Sequence, residues 1–231
     1  MIAAVAPRPP GHRPRRIEAV VFDLDGVLLD SEEVWDGARR ELVAEQGRTW
    51  RATATHDMMG MSSPEWSRYL HDVLGVPLPP AEISDAVVRK LEERYRRHLP
   101  LAEGAREAVE RLGAVWPLGL ASSSNRPVID LVLELAGLAR CFRVTVSSEE
   151  VARGKPAPDV YLAAAAALGV APAAAAAIED SANGLRAARA AGMWVVAVPN
   201  PTYPPPPDVL GLADVVVAGL AELTPEALLL P

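Results

Sequence analysis

Cysteine is almost absent from this sequence, in which Cys141 is the only one among 231 residues. A single cysteine excludes an internal disulfide and any metal cluster built from several cysteines, so we expect a reducing, cytoplasmic environment. Long hydrophobic runs are also missing, because the alanine-rich stretch at 171–178 is broken by Pro172 and is followed by acidic residues. We therefore expect no association with a membrane.

Lysine and aromatic side chains are scarce as well, and acidic residues outnumber basic ones. The formal net charge is −7 at pH 7 and the pI is near 5.2, which argues against nucleic acid as a partner. Lysine occurs only as Lys90 and Lys155, although the chain has 23 cationic residues. Aromatic residues make up 5% of the chain, so the core must consist mainly of aliphatic and alanine side chains.

Hydrophobic periodicity divides the chain into three parts. Residues 1–16 mix proline with arginine and lack the apolar centre of a signal peptide, which predicts a disordered N-terminal tail. Amphipathic helical patterns, with no strand pattern between them, predict a helical module at 31–98. Its three predicted helices lie at 31–46, 64–74 and 81–97.

Strand and helix patterns alternate in the rest of the chain. The strands are predicted at 117–121, 142–147, 174–178 and 194–198, and the helices at 127–136, 159–168 and 183–191. Such alternation is typical of a parallel sheet with helices on both faces. The isolated apolar strand at 20–22 belongs in the same sheet. We thus predict an α/β fold, with a Rossmann-like core formed by 17–30 and 99–231.

Two acidic residues, Asp23 and Asp25, follow the opening strand and precede Gly26. Residues spaced i, i+2 on a strand point to the same side. The pair could cap the turn that follows, or could serve catalysis or a metal, since buried charges are costly unless they are paired or metal-bound. The ligand pattern of an EF-hand calcium loop is missing after Gly26.

Polar and charged residues also lie at the ends of other predicted strands. Ligands of such sheets bind at the carboxyl ends of the strands. The polar run at 122–125 could cap the next helix or form an anion site from hydroxyls and backbone amides. Glu179 and Asp180 could cap a helix or join the first acids around a hard cation, for which Mg²⁺ fits best. Lys155 could be a solvated loop residue or could neutralise a phosphate.

These groups fit one reaction. A carboxylate nucleophile, Mg²⁺, an anion-binding hydroxyl and a lysine are the components of phosphoryl transfer through an aspartyl-phosphate. A second aspartate can protonate the leaving alcohol and then activate water.

Four motifs in order resemble those of the haloacid dehalogenase-like hydrolases, in the branch that contains β-phosphoglucomutase and the sugar-phosphate phosphatases. The resemblance runs from about residue 17 to residue 217. The motifs are DLDGV at 23–27, ASSSN at 121–125, GKPAPD at 154–159 and IEDSANG at 178–184.

The resemblance implies a role for each motif. Asp23 would be the nucleophile and Asp25 the general acid/base, and the helical module at 31–98 would be a cap domain that closes over the site. Ser122 and Lys155 would hold the phosphoryl group together with Ser123 and Asn125, and a cis Lys155-Pro156 peptide is expected. Mg²⁺ would be bound by Asp23, the backbone carbonyl of Asp25, Glu179 and Asp180.

The cap departs from the mutase pattern, because Trp35 stands where β-phosphoglucomutase has a histidine and Ser63 where it has an arginine. We therefore expect a monomeric Mg²⁺-dependent phosphatase that acts on a small phosphorylated metabolite, with sugar phosphates as the leading class. A mutase and a non-catalytic, phosphometabolite-binding regulatory protein are the alternatives. Several cap residues could face the substrate or simply pack the cap helices: Trp35, His56, Met58, Met59, Trp66 and Arg68.

Overall fold

The computed structural model describes residues 16–58 and 61–228. Of the predicted tail at 1–16, only Arg16 lies within these described residues. The described part of the chain forms one six-stranded sheet, and no helix in it is long and apolar enough to cross a membrane. The strands are β1 Ala19–Phe22, β2 Leu118–Ser122, β3 Phe142–Ser147, β4 Ala175–Glu179, β5 Trp194–Ala197 and β6 Val215–Val216.

The sheet is parallel throughout, with the strand order β3-β2-β1-β4-β5-β6. The opening strand β1 lies in the middle, where Val21 pairs with Gly119 of β2 on one side and with Ala177 of β4 on the other. The carboxyl ends of β1, β2 and β4 are therefore neighbours. The predicted α/β fold with a Rossmann-like parallel sheet is confirmed.

Five α-helices lie between β1 and β2, and the first four form residues 32–97, which we call the helical insertion. The helix α3 begins with a capping box, in which the Ser62 side chain and the Glu65 carboxylate satisfy backbone N–H groups at the first turn. The predicted helices at 31–46, 64–74 and 81–97 agree with the structure to within two residues, whereas α2 was not predicted. The helices are α1 Glu32–Glu45, α2 Ala54–Met58, α3 Ser63–Asp72 and α4 Pro80–Arg97.

The other helices cover the sheet. Three of them, α5, α9 and α10, were not predicted, and neither was the strand β6. The α-helices are α5 Ala105–Gly113, α6 Arg126–Leu135, α7 Asp159–Leu168, α8 Ala182–Ala190, α9 Pro207–Leu210 and α10 Pro225–Leu228. Short 3-10 helices lie at Ala139–Cys141, Ser148–Glu150, Pro172–Ala174 and Leu220–Glu222.

The hydrophobic core has two parts, one on each face of the sheet. Val20 and Phe22 of β1 belong to the part that also contains the buried residues of the helical insertion, α5 and α6. Val21 belongs to the other part, with the buried residues of α7 and α8. This alternation follows from the two-residue period of a strand. A strand buried on both faces leaves its carboxyl end as the place where polar groups can gather.

Candidate active site

A cavity of about 530 Å³ lies at the carboxyl ends of β1, β2 and β4, between the sheet and the helical insertion. The wall on the side of the sheet, which we call the core wall, includes residues that follow the strands. The wall formed by the insertion consists mainly of aromatic and sulfur-containing side chains. The core wall is lined by Asp23, Asp25, Ser123, Ser124, Lys155, 180–183, Arg186, Asn200 and 202–206. The insertion contributes Glu32, Trp35, Arg39, His56, Met58, Met61 and Trp66.

Asp23 lies directly after β1 and is only 6% exposed. Its Oδ1 atom forms an ion pair with Lys155 Nζ at 2.9 Å, without the geometry of a hydrogen bond. Burial raises the pKa of the Asp23 carboxyl to about 8; Lys155 opposes this shift, and the charges of Glu179 and Asp25 add to it. The carboxylate is therefore a charge that the protein alone stabilises poorly.

Lys155 is buried among acceptors. Its Nζ donates hydrogen bonds to the Ala121 carbonyl at 3.0 Å and to Glu179 Oε1 at 2.6 Å, and it lies 4.9 Å from the centre of the Tyr161 ring. Burial would lower the pKa of this amine, but Asp23 and Glu179 outweigh burial and raise it. Lys155 is therefore a fixed positive charge. The expected cis Lys155-Pro156 peptide is confirmed.

Glu179, the last residue of β4, is fully buried and has donors on both carboxylate oxygens. Oε1 accepts from Lys155 and from the Tyr161 hydroxyl, and Oε2 accepts from the backbone N–H of Asp180 and from Ser181. A Cβ on Gly184 would lie 1.8 Å from Oε1, so this carboxylate fits only beside a glycine. Glu179 thus holds Lys155 and the following loop in place.

Three carboxylates could hold a cation. Asp23, Glu179 and Asp180 each offer an oxygen, and these oxygens lie within 4.8 Å of one another. Asp180 Oδ1 is buried without a hydrogen-bond partner, and burial, with Glu179 and Asp23, raises the pKa of this carboxyl well above its usual value. A Cβ on Gly26, whose φ is +81°, would lie 2.0 Å from Asp180 Oδ2. Buried carboxylate oxygens without donors fit Mg²⁺.

The side chain of Asp25 is not part of this group of three and has its own donors. Oδ1 accepts hydrogen bonds from the Ser31 hydroxyl at 2.6 Å and from the Trp35 indole N–H at 2.8 Å. Oδ2 accepts from the Ser124 hydroxyl at 2.5 Å. Ser31 is the residue before α1, and its hydroxyl bonds Asp25 instead of capping the helix. The Asp25 carboxylate is thus held between the core and the helical insertion.

The residues of the polar run at 122–125, at the end of β2, differ in their surroundings. Ser123 and Ser124 line the cavity, whereas Ser122 is fully buried and its Oγ accepts from the backbone N–H of Ser124. Asn125, predicted to bind phosphate, is the residue before α6, and its side chain has protein partners on both amide atoms. Its oxygen accepts from Ser63 in the insertion, and its nitrogen donates to Glu149 Oε1 at 2.6 Å and to Ser84. Asn125 therefore links the loop to the insertion.

Most of the insertion residues considered from the sequence line the cavity, namely Trp35, His56, Met58 and Trp66. Arg68 is exposed and does not line it, and Met59 lies outside the described residues. The sequence reasoning missed Glu32 and Arg39. Arg39 follows Trp35 by four residues, so helical periodicity could have placed both on the same face of α1.

Comparison with known proteins agrees with this geometry. The sequence model of the family described as haloacid dehalogenase-like hydrolase matches residues 17–192. Hexitol phosphatase B of Escherichia coli (strain K12) is 36% identical over 222 residues, which cover 94% of this chain and 98% of that protein. CbbY of Rhodobacter capsulatus is 33% identical over 204 residues, which cover 80% of this chain and 86% of that protein.

Among solved structures, CbbY from Rhodobacter sphaeroides in complex with phosphate has a TM-score of 0.83 and 29% sequence identity, and the match covers 93% of this chain and 100% of that one. The four motifs, the strand order and these relatives agree. The chain therefore belongs to the haloacid dehalogenase-like hydrolases, in the branch of β-phosphoglucomutase and the sugar-phosphate phosphatases, and is a phosphoric monoester hydrolase.

Proposed function

We propose that this enzyme is a Mg²⁺-dependent phosphatase that hydrolyses a small phosphate ester, a sugar phosphate, through an aspartyl-phosphate intermediate. The observation that carries the proposal is the buried cluster in which Asp23 lies beside both Lys155 and Asp180. A carboxylate in such a position can attack phosphorus while the neighbouring positive charges balance the phosphoryl oxygens.

Mg²⁺ would be held by Asp23, Asp180 and the backbone carbonyl of Asp25, with Glu179 behind them. When bound, it supplies positive charge that keeps Asp23 ionised and balances the phosphoryl oxygens. Lys155 supplies the second positive charge. Ser123, which lines the cavity, holds the phosphoryl group through its backbone N–H and hydroxyl, and the hydroxyl of Ser122, buried beside it, adds a second donor. Asn125 keeps their loop in place through Ser63 and Glu149.

The reaction runs in two steps. A carboxylate oxygen of Asp23 forms a bond to phosphorus while the bond to the leaving oxygen breaks, and Asp25 gives that oxygen a proton. The alcohol leaves. Asp25, now a base, takes a proton from water as the water oxygen attacks phosphorus. The bond between Asp23 and phosphorus then breaks, which releases inorganic phosphate and restores both carboxyl groups.

The helical insertion is proposed as a cap domain that covers the site and selects the substrate. It places Trp35 and Ser31 on Asp25, so the acid/base group is oriented from the cap side. The indole at Trp35 and the hydroxyl at Ser63 leave these two cap positions without the cationic groups of the mutase pattern. Hydrolysis is therefore favoured over return of the phosphoryl group to the substrate.

The substrate class is proposed from the relatives. Hexitol phosphatase B is named for phosphorylated hexitols, and another relative, a phosphorylated carbohydrates phosphatase of Thermotoga maritima, is named for sugar phosphates. A structure of CbbY from Rhodobacter sphaeroides contains xylulose-1,5-bisphosphate. All three names point to phosphate esters of small polyhydroxylated carbon chains.

A phosphate-ester screen tests the proposal. The purified enzyme is assayed for free phosphate on an aryl phosphate, hexose and pentose phosphates and β-glucose 1-phosphate, with Mg²⁺ or with EDTA. We expect phosphate release only with Mg²⁺, and none from a folded Asp23→Asn variant. Formation of an isomer from β-glucose 1-phosphate without free phosphate would indicate a mutase, and inertness on the whole panel would indicate a binding protein.

A further inference from the structure

Arg39 is a buried guanidinium in the wall of the active-site cavity. It lies on α1, is 9% exposed and lines the cavity. Its central carbon lies 5.0 Å from the ring centres of both Trp35 and Trp66. These two indoles cover the guanidinium by cation–π contact. Because the rings cover the guanidinium in this way, a hydrogen-bond acceptor could bind it only through the N–H groups at its edge.

No acceptor in the described part of the chain takes that place. Nε of Arg39 is buried without a hydrogen-bond partner, and no carboxylate of the described residues forms an ion pair with this side chain. Asp36 is bonded to Arg40 and Thr55 instead, and Asp25 has its own three donors. Burial lowers the pKa of Arg39 to about 10, against the nearby charges of Glu32 and the two aspartates, so the group is a cation at neutral pH.

A buried cation without an ion-pair partner is costly unless a ligand supplies the opposite charge. Arginine binds carboxylate and phosphate through two parallel N–H groups, with a planar fork that matches their oxygens. On the insertion side the cavity is also lined by the apolar side chains of Met58 and Met61, which would strengthen such an ion pair by excluding water.

We propose that Arg39 determines substrate specificity by binding an anionic group, a carboxylate or a second phosphate, at the end of the substrate remote from the reacting phosphoryl group. This inference rests on the proposed phosphatase function. Asp23 and Lys155 on the core side take the reacting phosphoryl group, and Arg39 on the insertion side takes the other anion. Within the proposed class of small phosphate esters, the preferred substrate is then one that carries a second anionic group in addition to the reacting phosphate.

Substrate pairs that differ at the remote end test the inference. 3-Phosphoglycerate is compared with glycerol 3-phosphate, and 6-phosphogluconate with glucose 6-phosphate; fructose 1,6-bisphosphate is compared with fructose 6-phosphate. In the wild-type enzyme we expect kcat/KM to be at least about tenfold higher for the dianionic member of the best-used pair, mainly through KM. Arg39→Gln should bring this ratio to about one, and Arg39→Lys should keep part of it.

Arg68→Gln is the matched control, because Arg68 is an exposed arginine of the same insertion that does not line the cavity. It should keep the wild-type ratio. A wild-type preference for the neutral member in every pair would overturn the inference, and so would an Arg39→Gln variant that loses kcat/KM equally on both members. The wild-type ratio decides the matter even if Arg39 variants fail to fold.

Calorimetric binding separates this inference from the proposed function. The Asp23→Asn variant, with Mg²⁺ present, is titrated with both members of each pair. Tighter binding of the dianionic member, lost in the Asp23→Asn/Arg39→Gln double variant, supports the inference even if the wild-type enzyme hydrolyses nothing. Equal binding of the two members contradicts it even if the wild-type enzyme is an active phosphatase.

Discussion

Glu179 has a structural role in the site, because it holds Lys155 and the loop after β4 in place. That it also binds the metal stays a prediction. Its two oxygens accept from a lysine, a tyrosine and the loop that follows β4. Such a fully bonded carboxylate is rigid, since each oxygen is fixed by more than one donor. The position of Lys155, and through it the charge beside Asp23, therefore depends on the space that Gly184 leaves open.

Replacing Gly184 by alanine should displace Glu179, because the added Cβ would lie within 2.0 Å of its carboxylate atoms. We expect kcat to fall by about a hundredfold or more and the melting temperature to fall by several degrees, as a buried hydrogen-bond network is broken. Gly219→Ala is the control, because nothing lies within 4 Å of a Cβ there and its φ of −178° suits any residue. Wild-type kcat in Gly184→Ala would contradict this role of Glu179.

The orientation of Asp25 gives a second prediction. Trp35→Phe keeps a ring beside Trp66 but removes the N–H that Asp25 accepts at 2.8 Å. We expect kcat to fall about tenfold, the size of a hydrogen bond to a charged group. Phosphate release under saturating substrate is the measurement.

Trp116→Phe is the matched control for the indole. The Trp116 N–H donates to the backbone carbonyl of Ile17 at 2.9 Å, and Trp116 does not line the cavity. Its loss should lower the melting temperature and leave kcat unchanged. If Trp35→Phe has full kcat, the indole has no part in orienting Asp25.

At the scale of elements, the sequence predicted the parallel sheet because short strand patterns alternate with helical patterns along the chain beyond residue 100. The carboxyl ends of β1, β2 and β4 are adjacent because β1 inserts between the other two strands. That strand order brings Asp23 to within an ion-pair distance of Lys155, although 132 positions separate them in the chain (155 − 23). The proximity of Asp23 and Lys155 was predicted from the sequence through the order of the four motifs and their resemblance to the family.

What the sequence did not reveal depends on contacts between distant residues or on very short elements. That Asn125 binds phosphate stays a prediction. Its hydrogen bonds to Ser63 and Ser84, which lie 62 and 41 positions away, could not be predicted from the sequence. The two-residue strand β6 has no periodicity to detect. The helix α5 is different, because its buried residues Ala105, Ala108, Val109 and Leu112 follow a helical period that could have predicted it.

The link through Asn125 predicts a loss of stability when it is removed. Asn125→Ala would leave the Ser63 hydroxyl and the Glu149 carboxylate without their buried partner. We expect the free energy of unfolding to fall by about 2 kcal/mol, which corresponds to about 4–8 °C in melting temperature for a chain of this size. Thermal unfolding followed by circular dichroism is the measurement.

Ser84→Ala is the comparison for this link, because Ser84 makes only the 3.3 Å contact with Asn125. We expect the free energy of unfolding of Ser84→Ala to fall by less than about 1 kcal/mol, since longer hydrogen bonds are weaker. If Asn125→Ala melts within a degree of the wild type, the connection between the loop and the insertion carries no stability.

At the scale of the whole molecule, the buried acids are an electrostatic cost in a chain whose net charge is already −7. Burial and mutual repulsion raise the pKa of Asp23 to about 8 and raise that of Asp180 as well. Lys155 is the only cation in ion-pair contact with the group of three acids among the described residues. One positive charge against three carboxylates leaves room for a divalent cation to stabilise the folded chain.

Mg²⁺ should therefore raise the melting temperature of the wild-type protein. At about 100 times its Kd a ligand that binds only the folded state adds about 2.7 kcal/mol, or about 5–10 °C here. Asp180→Asn should melt higher than the wild type without metal, because it removes a carboxyl whose raised pKa lowers the stability of the folded state at neutral pH. It should also lose most of the shift with Mg²⁺. NaCl at the same ionic strength is the control for screening. If Mg²⁺ raises the melting temperature of Asp180→Asn as much as that of the wild type, or if NaCl has the same effect as Mg²⁺, the cation acts elsewhere. If only the protein with all three acids is stabilised by Mg²⁺, the cation binds at the carboxyl ends of β1 and β4.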